Sequence, residues 1–212
     1  MVQEKIESNF RQQVQNDKKV KNGYLLVHSE KLGIDINIAE GKTGEIQANP
    51  MQANHLASVG KLFTASVVSM LHDKGLLSFD DNIVNYLDRD LMRSLHVYKG
   101  KDYSGDISIK HLLKQTSGLD DVFFPLLKKM MDDPNLEMTV REALEWGKAN
   151  LKPVGKPGQK HFYNDTNYYL LGLIIENITG KPFHEAVHEM ILEPLKMDNA
   201  YINGYSEPKN KP

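Results

Sequence analysis

The chain has 212 residues, enough to bury a sizeable core as one ordinary domain or two small interleaved ones. With 26 basic against 28 acidic residues the formal net charge is -2, which leaves no basic surplus for a polyanion, and no nucleic-acid partner is expected. There is no cysteine, so disulfides, thiolate catalysis and cysteine-ligated metals are excluded while either redox compartment remains open.

Met1 to Phe10 carries Glu4 and Glu7 where a signal peptide needs an apolar run, and no later stretch approaches the roughly 20 apolar residues of a membrane span. Glu4 to Asp17 is polar with apolar residues at Ile6, Phe10 and Val14, the stripe of a surface helix laid on a core. Gly23 closes that region. Tyr24 to His28 and Ile34 to Ala39 read as two strands joined by Ser29 to Gly33, a hairpin whose glycine suits a positive-φ position. From Ser58 the period turns helical, with Val59, Leu62, Phe63, Val67, Met70 and Leu71 on one face and Gly75 as the stop. Helices are expected again at Ile107 to Lys114, Leu126 to Met131 and Val140 to Asn150, the last two separated by the turn Asp132-Asp133-Pro134-Asn135. Thr166 to Ile178 is strongly apolar and stops at Gly180-Lys181-Pro182, and the amphipathic segment Phe183 to Leu192 follows it. The tail from Gly204 to Pro212 is polar and proline-bearing and should fray.

Ser58-Val59-Gly60-Lys61 is an S-x-x-K at the start of a buried-looking helix, which puts hydroxyl and ammonium one turn apart on one face. Lysine can take the serine proton there only when it is partly neutral, and desolvation would favour that form. The helix start adds N–H groups for an oxyanion. Alone the motif is weak, because Ser206-Glu207-Pro208-Lys209 has the same spacing in the tail. On that evidence Ser58 reads better as an N-cap beside a solvated Lys61.

Three further segments change the balance. Ile107-Ser108-Ile109-Lys110-His111-Leu112-Leu113-Lys114-Gln115-Thr116-Ser117-Gly118-Leu119 resembles the I-T-I-R-H-L-L-x-H-T-S-G-L segment of class C β-lactamases and their esterase and peptidase relatives. Pro157-Gly158 through Tyr163-Asn164-Asp165-Thr166-Asn167-Tyr168-Tyr169-Leu170-Leu171-Gly172 resembles their P-G-x-x-x-x-Y-S-N-x-x-Y-x-L-L-G, and Glu193-Pro194-Leu195-Lys196-Met197 their E-P-L-G-M. With S-x-x-K, a motif of β-lactamases and penicillin-binding proteins, these matches keep the family's order from about Tyr24 to Tyr201.

The resemblance implies Ser58 as nucleophile, Lys61 as its base and Tyr163 as the second catalytic residue, passing a proton between Ser58 and the leaving group. A phenol beside an ammonium ionises more easily, which suits that task. Asp165 stands where the family usually has asparagine and is the candidate substrate-binding residue; an ionised aspartate only accepts hydrogen bonds and would favour a charged Lys61. Gln115, where relatives often have histidine, reads as structural, and Gly118 as a turn glycine. Lys42-Thr43-Gly44 spells the family's third motif but lies upstream of Ser58, and Gly41 and Gly44 suit a hairpin turn, so it is a coincidence of letters. The real third motif should follow well after Tyr163, and the chain ends first. The resemblance therefore implies an incomplete sheet, an unpaired hairpin edge prone to self-association, and a poor catalyst until the downstream segment is supplied. His184 and His188 lie i, i+4 on one helix face, but without a nearby third ligand they read as a surface pair, not a metal site.

The fold class implied is α+β of the β-lactamase/transpeptidase kind, a helical region beside an antiparallel sheet of which only the N-terminal strands are present. Residues 1–50 would form the helix and hairpin of the α/β region, 51–203 the mainly helical region with the motifs, and 204–212 a tail. No cofactor or metal is expected, the partner is a small-molecule or peptide substrate, and the resemblance points to an extracytoplasmic protein although this chain has no signal peptide. Two functions remain open. One is a serine hydrolase acting through an acyl-enzyme on a β-lactam, a D-amino-acyl peptide or a small ester. The other is an impaired relative that binds or senses a ligand, or a fragment that cannot turn over; covalent labelling without turnover separates them.

Overall fold

The computed structural model describes residues 2–207, so the last five residues, including Pro208 and Lys209 of the tail S-x-x-K, lie outside it. Two units are distinguishable. The first ends at His55 and takes in Asn199–Tyr201; the second comprises Leu56–Asp198 and Ile202–Ser206.

In the first unit, helix α1 (Val2–Asn16) half-buries the expected stripe of Ile6, Phe10 and Val14. Strands β1 (Asn22–Ser29) and β2 (Ile34–Thr43) pair antiparallel with Leu26 opposite Asn37. Gly33 closes the connecting turn at φ 60°, a left-handed conformation that glycine adopts without steric cost. Ile34 and Ile36 are buried while Asp35 and Asn37 face water, the period-2 alternation of a strand with one covered face. Gly23 belongs to β1, where a Cβ would lie 2.6 Å from Val14 Cγ2; the absent side chain lets α1 approach. The Arg11 guanidinium reaches Glu40 of β2 at 2.7 Å. A third strand, β3 (Ile46–Gln47), pairs with Lys42 and Thr43, and Gly44 turns the hairpin at φ 60°. Lys42-Thr43-Gly44 is thus hairpin backbone with Gly44 in the turn, while Gly41, also expected in a turn, lies within β2 opposite Asn22.

The second unit begins with a 3-10 turn, Ala57–Val59, and helix α2 (Gly60–Asp73), with Gly75 beyond its end at φ 70°. The α2 face that is buried is Thr64, Val67, Val68 and Leu71, and Val59 and Leu62 are 58% and 66% exposed. The expected stripe is therefore rotated toward solvent at its N-terminal end: α2 is apolar over more than one face, and periodicity could not choose between them. Helix α3 (Arg89–Met92) is N-capped by Asp88. A hairpin follows, β4 (Val97–Tyr98) and β5 (Lys101–Asp102), that periodicity did not signal; Lys99 and Gly100 both have positive φ, as a two-residue hairpin turn demands. Helix α4 (Ile109–Leu113) starts on a capping box in which Ser108 and His111 satisfy each other's backbone N–H. Helices α5 (Phe123–Asp132) and α6 (Val140–Asn150) come next, α6 opened by a Thr139–Glu142 capping box. Trp146 packs on the cluster of Val122, Leu126 and Ala143.

Helix α7 (Thr166–Thr179) is the axis of this unit and packs against α2, α4, α6 and α8 (Phe183–Val187). Its Leu170, Leu171, Ile174 and Ile175 are fully buried, and Gly180 ends it in the left-handed conformation. The segment expected as one helix from Phe183 to Leu192 changes at His188 into a π-helical turn, His188–Leu192. Among the described residues no helix is long and apolar enough to cross a membrane.

Candidate active site

All four candidate site residues lie in the second unit and converge, although Ser58 and Tyr163 are far apart in sequence. Ser58 sits in the 3-10 turn, not within α2, because Ala57 at φ 47° bends the chain just before it. A non-glycine residue in that region is strained, and here the strain presents the serine at the exposed N-terminal end of the helix. Lys61 lies in the first turn of α2, its Nζ donating to Ser58 Oγ at 3.3 Å.

The ammonium of Lys61 is enclosed on its other sides. It forms a short ion pair with Asp165, and the two side chains are only 16% and 21% exposed. The ring of Tyr163 is centred 4.9 Å from Nζ and that of Tyr168 5.5 Å away, both within range of a cation–π attraction. Burial by itself would push the Lys61 pKa down, as the sequence suggests; the hydrogen bonds with Asp165 and Tyr163 and their charges outweigh it, so the pKa is raised. The resting lysine is therefore an ammonium, which differs from the partly neutral base that desolvation alone would produce. Tyr168, which the sequence did not single out, is raised by burial despite the neighbouring Lys61 charge and stays a neutral phenol.

Tyr163 is 52% exposed. The backbone beneath it is rigidly held. Phe162 N donates to Gln115 O at 2.9 Å and Asn164 N to Gln115 Oε1 at 3.1 Å. Asn164 is buried and spends its own amide on the carbonyls of Leu119 and Phe162 and on Asn167 N. Asn167 in turn donates to Gln115 Oε1 and accepts from Ser117 Oγ. Asp165 N is held by Asp121 Oδ1 at 3.0 Å, and Thr166 Oγ1 donates to Asp120 O.

Two of the sequence segments meet here for a plain steric reason. Gly158 N donates to Thr116 O and Val154 N to Gly118 O, each at 2.8 Å, so the chains run against each other. Gly118 has φ 80°, and a Cβ there would lie 2.2 Å from Gly155 O and 2.9 Å from His96 Nε2. Gly158 has φ 76° and faces His111 Nε2, where a Cβ would come within 3.1 Å. Both glycines are more than turn residues: they permit the close approach that sets Tyr163 beside Lys61.

Of the second S-x-x-K, Ser206 Oγ accepts from Ile202 N, and Lys209 lies outside the described residues. His184 stacks on Tyr205 with ring centroids 4.6 Å apart. Among the described residues there is no group of three or more His, Cys, Asp or Glu side chains placed to hold a metal ion. What the sequence pattern did not reveal is the buried amide network of Gln115, Ser117, Asn164 and Asn167. Its signal was a polar asparagine, Asn167, inside the apolar face of a helix.

Known proteins are similar to this chain in sequence and in fold. The Beta-lactamase family model matches residues 14–211. A putative D-alanyl-D-alanine carboxypeptidase of Escherichia coli (strain K12) is 31% identical over 156 residues, covering 70% of this chain and 33% of the relative. The octameric penicillin-binding protein homologue from Pyrococcus abyssi superposes with a TM-score of 0.57 at 29% identity, over 73% of this chain and 34% of its own. A D-stereospecific amidohydrolase from Streptomyces sp. shares the fold at a TM-score of 0.66 and 24% identity, over 81% of this chain and 51% of its own. The matched segment thus spans about a third of the length of the Escherichia coli relative.

Proposed function

Because the chain belongs to the Beta-lactamase family, we propose that it is a serine hydrolase working through an acyl-enzyme, with Ser58 as nucleophile and Lys61 and Tyr163 as its proton carriers. The observation that carries this reading is the contact of Ser58 Oγ with Lys61 Nζ at 3.3 Å, with the Tyr163 ring 4.9 Å from the same nitrogen. In acylation Ser58 Oγ bonds to the substrate carbonyl carbon, its proton passes to Lys61 or Tyr163, and the leaving group departs with a proton returned by that pair. Water then cleaves the ester and restores Ser58.

Lys61 rests charged, so it first acts as a hydrogen-bond donor that holds the serine oxygen and favours negative charge developing there. It becomes a base only in the fraction of molecules that has lost its proton, and the rate therefore rises with pH. Asp165 sets how large that fraction is. A D-amino-acyl amide or peptide is the substrate class favoured by the names of the relatives, a carboxypeptidase and an amidohydrolase; small esters and β-lactams carry the same reactive carbonyl. The second reading, an impaired relative that acylates without turning over, draws support from the ion pair that keeps Lys61 protonated.

A fluorescent penicillin and a fluorophosphonate, with intact mass and peptide mapping, test the assignment. One adduct on Ser58 is expected with at least one probe, and none in Ser58→Ala. Labelling that survives Ser58→Ala removes the nucleophile assignment, whereas a Ser58 adduct that never discharges selects the second reading.

A further inference from the structure

Gln115 occupies an unusual place. It follows the C-terminal end of α4, with φ 58°, where a helix stop favours glycine or asparagine because a larger side chain is strained there. It is nonetheless a glutamine, 6% exposed, and its backbone and side chain are both engaged. Its main-chain carbonyl takes the N–H of Phe162 and its side-chain carbonyl takes the N–H of Asn164, the residues on either side of Tyr163. Asn167 Nδ2 donates to the same Oε1 at 2.5 Å, and two donors converging on one atom identify it as the oxygen of the amide. Nε2 finds no hydrogen-bond partner among the described residues. The acceptor end is what the fold uses.

From this geometry we infer that Gln115 is a positioning residue for Tyr163: a two-point clamp, one carbonyl on each flanking amide, that fixes the phenol against Lys61. The inference rests on the proposed role of Tyr163 as a proton carrier. Tyr163 is half exposed, so the backbone on which it stands contributes to its direction beside Lys61. That backbone is fixed on one side by the Gln115 main chain and on the other by the Gln115 side chain. Removing the side-chain carbonyl frees Asn164 N and Asn167 Nδ2, and leaves intact the bond to Phe162 and those that hold Asp165 N and Thr166 Oγ1. Tyr163 then keeps its place in the fold but loses its fixed distance to Lys61, and an error of about 1 Å in a reacting group can cost on the order of 10²-fold in rate.

The test is a double-mutant cycle on the rate of Ser58 acylation by a fluorophosphonate and by a p-nitrophenyl ester. Gln115→Gly relieves the backbone strain and removes the side-chain half of the clamp. Gln115→Asn suits the left-handed conformation but is one methylene too short to reach Asn164 N. Each is expected to slow acylation by roughly 10- to 100-fold, with the loss in kcat and little change in KM. In a Tyr163→Phe background neither should alter the remaining rate by more than about twofold, since the group being positioned is gone. A merely structural role would lower the rate by the same factor with or without the Tyr163 hydroxyl, and that result overturns the inference. So does a parent rate in both Gln115 variants. Should Gln115→Gly fail to fold, Gln115→Asn decides by the same cycle. If Tyr163→Phe itself acylates at the parent rate, the proton-carrier reading falls and this inference with it; a slow Tyr163→Phe with additive Gln115 variants overturns the clamp alone.

Discussion

Replacing Asp165 by asparagine isolates the electrostatic control of Lys61. The ion pair is largely enclosed, and the two tyrosine rings around Nζ leave little room for water to screen it. An opposite charge in direct contact favours the ammonium over the neutral amine, and the effect grows as solvent is excluded. Both partners keep some solvent contact, which moderates the effect without abolishing it. Asparagine keeps an acceptor oxygen but no charge, so the sign is fixed: Lys61 loses its proton more easily in Asp165→Asn. Well below its pKa, the neutral fraction of a lysine rises in direct proportion to its acid dissociation constant. A weaker base gives back part of that gain through a smaller driving force for proton transfer. The net expectation is acylation roughly three- to tenfold faster near pH 8, with the rising limb of the pH-rate profile displaced to lower pH. Pre-steady-state acylation by a p-nitrophenyl ester across the range of about pH 6 to 10 reads the profile. NMR titration of the Lys61 side chain reads its protonation independently of turnover. Superimposable profiles together with an unmoved titration would refute the claim that Asp165 governs the Lys61 proton.

Lys61→Ala and Tyr163→Phe should each slow acylation by about 10²- to 10⁴-fold with less effect on reversible binding, and a parent rate in either cancels its assigned role. Gly118→Ala forces a side chain into φ 80° and onto Gly155 O at 2.2 Å, so thermal or urea unfolding should show a loss of roughly 2–4 kcal/mol; an unchanged melting temperature would mean the loop yields freely. Asp88 caps α3 and pairs with Arg141, whose hydrogen bond, with the backbone N–H of Leu91, holds its pKa at about 2 instead of 3.8. A depressed carboxylate stabilises the fold above its ordinary pKa and stops doing so as the pH falls through about 2. Asp88→Ala should therefore cost about 0.5–2 kcal/mol at neutral pH, and parent and variant should converge in urea titrations as acid is added. Parallel curves with no convergence would exclude the carboxylate as the source.

How far the sequence reached depends on what kind of force set each feature. The reading from the sequence places α6 to the residue and α1 within two residues, because apolar spacing and turn residues act within a turn or two of chain. The β1–β2 hairpin is legible for the same reason, as is Gly44 in its turn. The motif letters brought Ser58, Lys61, Tyr163 and Asp165 to notice, and their order implied a shared site. Local pattern could not say which face of α2 is buried, since that helix is apolar on more than one side, and Val59 and Leu62 ended in solvent beside Ser58. It also could not say how Lys61 is charged. The sequence suggests two opposed effects, desolvation that lowers its pKa and an aspartate that favours the charge, and only the fold, which brings Asp165 from 104 residues away together with Tyr163, shows that the second wins. Gln115 teaches the same lesson from the backbone side: in sequence it is one polar residue after a short helix, and in the fold it grips both amides that flank Tyr163. The sequence by itself determined most of the longer elements and the chemical groups, because those follow from short-range sterics and side-chain type. Tertiary structure alone decided the protonation state and the aim of those groups, because both are sums over neighbours that only folding brings within a few ångströms.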